Sequence, residues 1–173
     1  MLIGSRAGFG LDLATGLEGL LLHADVFVGG LLVNAADNAF YPPLLAHCLG
    51  GELRRHGSPS GRPTGFTTPA EAFRAAERWA FRDTGATEVP GDPGPELARY
   101  EFLEWGECTD GVTAYAFPDG DRVHLGCRLR AETGPPQPPV TVTLGRTLFV
   151  TTLERARVVA ADMWAARPGQ DGT

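Results

Sequence analysis

Apolar and polar positions alternate along the first forty residues. "FGLDLAT" (residues 9–15) carries a period of two, as a strand with one buried face does. "HADVFV" and "LLVN" flank Gly29-Gly30, and two residues that both tolerate positive φ suit a primed hairpin turn. Phe27 and Val33 are candidate core residues of that hairpin. "YPPLLAHCLGGELRRHG" is ambiguous, because Pro42-Pro43 could open a helix that Gly50-Gly51 would interrupt. The reading preferred here is a short strand from Leu44 to Leu49 and a short helix from Glu52 to His56.

The period then changes. "TTPAEAFRAAERWAFRDTG" predicts a helix with Thr68 as N-cap, Pro69 in the first turn and Glu71 closing a capping box. Phe73, Ala76, Ala80 and Phe81 form its apolar stripe, and Gly85 is a stop. The segments "GSPSGRPTGF", "GATEVPGDPGPELA" and "TGPPQPP" are loops by their glycine and proline content. Between them a meander is expected: one strand near residues 100–106, a second from Val112 to Phe117, a turn at "PDGD", and a return from Arg122 to Arg130. "VTVTL" adds another strand. A short strand at Leu148–Val150 and a helix capped by Thr151, with Glu154 three residues on, close the pattern. The helix stripe is Leu153, Ala156, Val159, Ala160 and Met163; from Pro168 a disordered tail is expected. The fold class is therefore α+β, an antiparallel sheet with helices packed against it, as a single domain over residues 1–173.

Composition narrows the chemistry. All 15 basic residues are arginine, so a Schiff-base lysine and the phosphate-loop lysine are both excluded. The net charge is −6, which disfavours nucleic acid and favours basic partners. Three cysteines without a CxxC pair fit a reducing compartment. The longest apolar runs are interrupted by His23 and Asp25, and the N-terminus lacks the form of a signal peptide, so a cytoplasmic protein is expected, with no membrane partner.

No constellation has the form of a catalytic set. Adjacent His47 and Cys48 diverge on a strand or a helix, and His124 and Cys127 would lie on opposite faces of a strand. No serine sits in a GxSxG setting, and no metal or other cofactor is expected. A small enzyme or ligand-binding domain with His47, Cys48 or His124 in a pocket remains the alternative. The most marked pattern is "YEFLEWGECTDG", where Glu101, Glu104 and Glu107 recur every third residue around Trp105, with Asp110 after them. In a strand, Glu101 and Glu107 share a face and Glu104 opposes them unless a bulge shifts the parity. With Asp119 and Asp121 these carboxylates belong to consecutive strands or turns, where their fields would sum into an acidic recognition edge; a plain solvated face and a catalytic acid pair are the alternative readings. Trp105 and Tyr115 are candidate aromatic anchors of that edge or, equally, core residues, with core the preferred reading for Tyr115 between two alanines.

Several stretches carry a family likeness: "MLIG", the hairpin "VFVGGLLVN", "LRRHG", "AEAFRAA", "DGDRVHLGCRL" and "FVTTLERARVVAADMW". In these the chain resembles the immunity proteins of bacterial polymorphic-toxin systems, in particular the family called immunity protein forty-two. The resemblance implies a cytosolic antidote that binds and occludes one cognate toxin and has no catalysis of its own. A basic toxin such as a nuclease would suit the charge. No family binding residue is carried over to this chain.

Overall fold

The computed structural model describes residues 1–15, 20–57, 61, 63–80, 94–130 and 137–166. Phe81, Gly85 and the tail from Pro168 lie outside them.

Alternation in the first third builds an antiparallel sheet of β1 (Leu2–Gly4), β2 (Phe9–Thr15), β3 (Leu22–Val28) and β4 (Leu31–Leu32), in that order, with β5 (Ala39–Phe40) also on β3. In β3, Leu22, Ala24, Val26 and Val28 are buried while His23, Asp25 and Phe27 between them are partly exposed. The period of two therefore puts Val28, not Phe27, in the core; Phe27 lies under the guanidinium of Arg6 instead. Gly29 and Gly30 turn the β3–β4 hairpin with φ of 57° and 88°, as a primed turn requires.

The segment read as strand then helix is one helix, α1 (Pro42–Gly57). Leu45, Leu49, Glu52 and His56 are buried at spacings of four and three, a helical stripe that outweighs the propensity penalty of Gly50-Gly51. Similarly, α4 (Arg146–Ala165) starts where a strand was expected, with Gly145 at its N-cap and Thr151 already within it. Its stripe of Phe149, Leu153, Ala156 and Ala160 is fully buried. The two helices lie antiparallel, since Arg146 at the start of α4 donates to the carbonyl of His56 at the end of α1.

The second sheet is the expected meander, β6 (Val112–Asp119), β7 (Arg122–Leu129) and β8 (Val140–Gly145), with Gly120-Asp121 as the β6–β7 turn. β6 is covered on both faces. Ala114 and Ala116 point into the main core with α1, α4 and the first sheet. Tyr115 and Phe117 point the other way, into a smaller core under α2 (Pro69–Ala80) and the short α3 (Gly94–Ala98). The capping box of α2 forms as read: Thr68 Oγ1 accepts from the Glu71 N–H at 3.2 Å, and Glu71 Oε2 accepts from the Thr68 N–H at 3.2 Å. Phe73 and Ala76 face the core, whereas Ala80 is exposed.

Candidate functional site

Residues 100–106 are not a strand. Glu101 forms a single bridge with Tyr115 of β6, and the Phe102 N–H donates to the Ala114 carbonyl at 3.0 Å. Pairing ends at Leu103, which adopts a φ of 64° and is 1% exposed. A buried leucine in the left-handed region is strained backbone, held by its surroundings. This turn supplies the parity change that brings Glu104 round to Glu101.

The loop is held from beneath by α1. Arg55 Nη1 donates to the Glu101 carbonyl at 2.8 Å, and the indole N–H of Trp105 donates to Oε1 of wholly buried Glu52 at 3.2 Å. Arg55 Nη2 reaches the same Oε1 at 3.2 Å. Thr109 Oγ1 accepts from the Trp105 backbone N–H at 3.0 Å and donates to the Gly106 carbonyl at 3.1 Å. Trp105 is thus 1% exposed, and its ring meets Phe102 edge-on. It tethers the loop and, so buried, presents no anchor on the surface. Tyr115 is core, as read.

Above the tether lies a cleft of about 220 Å³, lined by Glu101, Glu104, Asp110, Thr113, Tyr115 and Arg130 among others. Burial, then the charge and hydrogen bond of Glu104, push the Glu101 carboxyl up to about 7, against a smaller opposing pull from Arg55. Burial and the same two glutamates push the Tyr115 phenol up to about 12. Arg130 Nε donates to Thr113 Oγ1 at 3.2 Å, so one cation shares the cleft with three acids. Glu107 is exposed on the short 3₁₀ turn Glu107–Thr109 that follows.

Asp119 and Asp121 are exposed at the far end of β6, whose seven residue steps span roughly 23 Å at about 3.3 Å each; Asp110 precedes the near end, and Glu101, bridged to Tyr115, lies roughly 13 Å along the strand from Asp119. The carboxylates singled out in the sequence therefore form two groups. The fold brings Glu101, Glu104 and Asp110 into one cleft with Glu107 beside it, and leaves Asp119 and Asp121 apart. Asp119 Oδ2 stands 3.6 Å from His124 Nε2, while His124 Nδ1 is 2.7 Å from Thr143 Oγ1. These two residues border a recess of only about 30 Å³.

The fold is shared with a solved protein, CdiI from Burkholderia dolosa AUO158. The two superpose with a TM-score of 0.59, covering 93% of this chain and 99% of CdiI at 17% identity. At that identity the likeness to CdiI is one of fold. No family model and no curated protein sequence matches the chain, so its resemblance to the immunity protein forty-two family rests on the short stretches quoted above.

The remaining candidates do not converge. His47 is exposed on α1 and His124 lies on β7, and neither His47 nor Cys48 lines either cavity. Burial raises the Cys48 thiol above its ordinary range. It also pushes Cys127 up to about 12 and, with Asp37 alongside, Cys108 up to about 11. A nucleophilic cysteine needs the opposite shift. No group of acids, histidines and cysteines among the described residues has the form of a metal site. No helix among them is long and apolar enough to cross a membrane.

Proposed function

We propose that the chain is an immunity-type protein that binds and occludes a cognate toxin domain, steered by the carboxylates at positions 101, 104, 107 and 110. The observation that carries this reading is the fold shared with CdiI over nearly the full length of both chains. The acidic loop supports a location for it. A strained and tethered segment holds the half-buried Glu101 carboxyl against that of exposed Glu104, where a guanidinium or ammonium would relieve their repulsion. A basic toxin fits the net charge of −6, and binding inside the producing cell fits the reduced-thiol composition.

The test is co-expression with the C-terminal domain encoded by the open reading frame upstream of this gene, which this reading expects to be that of a large secreted protein. Growth should be lost with that domain alone and restored by this chain, and the two should co-purify. Growth arrest unrelieved by the chain would sink the reading.

A further inference from the structure

The acidic loop has an apolar neighbour. Tyr41 sits at the N-cap of α1, its carbonyl accepting from the Leu45 N–H at 3.0 Å. Leu44 lies one turn on, so the two side chains share a helix face. They remain 48% and 46% exposed, in a chain that buries Trp105 and Tyr115 to 1%. The Tyr41 ring meets Trp164, in the last turn of α4, edge-on with centroids 5.0 Å apart. On the other flank, a β-carbon placed on Gly106 would stand 3.8 Å from Leu44 Cδ2, so the loop runs against that leucine. Cys108 Sγ lies 3.6 Å from the Ala39 carbonyl, which keeps the loop alongside the start of α1. Glu104 and Glu107, both exposed, therefore border the patch.

An aromatic and aliphatic patch edged by carboxylates has the composition of an interface centre with a charged rim. The charge selects the occupant. A second copy docked face to face would oppose Glu104 and Glu107 to their own equivalents, and an anionic lipid surface would be repelled. We propose that Tyr41, Leu44 and Trp164 form the apolar anchor of the toxin-docking surface, and that its occupant is a protein face on which arginines or lysines flank a protruding apolar side chain. This rests on the immunity reading, which places a toxin at the loop.

Two arms test it. In the first, amide NMR maps two hexapeptides on the full chain, one alternating arginine with leucine and the other alternating glutamine with leucine. The arginine peptide should shift Tyr41, Leu44 and Glu107 and bind at least about tenfold tighter than the glutamine peptide. Equal binding of the two, or shifts confined to other surfaces, would overturn the assignment. In the second arm, the neighbouring toxin domain is titrated against wild type, Leu44→Gln and the Tyr41→Ser/Leu44→Gln pair. Affinity should fall about tenfold or more in the pair and less in the single variant, with the melting temperature unchanged in both. Undiminished affinity refutes the patch while leaving the immunity reading intact. If that domain fails to bind wild type, the immunity reading falls and the peptide arm alone decides the patch.

Discussion

Glu101 shows how far one side chain can depart from its sequence reading. Spacing pairs it with Glu107 on a strand face, but the left-handed backbone at Leu103 pairs it with Glu104 instead. Nothing in the residue type announces that turn, because a leucine amid "YEFLEW" reads as extended chain. The consequence is measurable. The folded-state value of about 7 lies above the ordinary 4.5, so between these the folded protein holds a proton that the unfolded chain gives up. The stabilisation from that proton is present below about pH 4.5 and is lost as pH rises through about 7. Glu101→Gln, which cannot ionise, should gain in stability relative to wild type across that window and level off above it. Urea midpoints at pH 5 and pH 8 check this; the same difference at both would show that the carboxyl is not perturbed.

At the scale of elements, what could be read and what could not divide along a physical line. α2 was legible because its start signals are local: Thr68 and Glu71 satisfy each other's backbone N–H groups within four residues, and Pro69 suits the first helical position between them. α1 and the start of α4 were hidden because local signals pointed the wrong way. Gly50-Gly51 breaks a helix by propensity, and Leu148–Val150 resembles a buried strand, while the packing of the two helices on each other is a tertiary term. The hairpins were legible from turn chemistry at Gly29-Gly30 and at Asp119-Gly120, the second turn closing one residue on, at Gly120-Asp121. The docking of α2 on the second sheet depends on an absence. A β-carbon on Gly126 of β7 would lie 2.5 Å from Phe73 Cδ2 and 2.9 Å from its Cγ, so the ring rests on bare backbone. Gly126→Ala should destabilise the fold by about 1–3 kcal/mol, read from chemical denaturation. A variant as stable as wild type would mean that Phe73 can move aside without loss.

For the whole molecule, two acidic groups set apart along β6 make a different field from a single edge. Their separation, from roughly 13 Å at Glu101 to roughly 23 Å over the full strand, exceeds the Debye length of about 8 Å at physiological salt. If the cleft group meets the basic toxin, Glu104→Arg should slow association markedly at 0.15 M salt, whereas Asp121→Arg should matter chiefly at low salt, where screening reaches about 30 Å. Stopped-flow rates at the two ionic strengths separate these cases, and equal slowing by both substitutions at 0.15 M would place the contact elsewhere.

The grip of α1 on the loop takes hold of a main-chain carbonyl at Glu101 and an indole at Trp105, and it touches none of the outward carboxylates directly. Mutation is therefore free to rewrite the exposed positions 104, 107 and 110 without loosening the mount that displays them. A lineage pursuing a changing adversary could exchange its recognition letters one at a time and keep the same frame throughout.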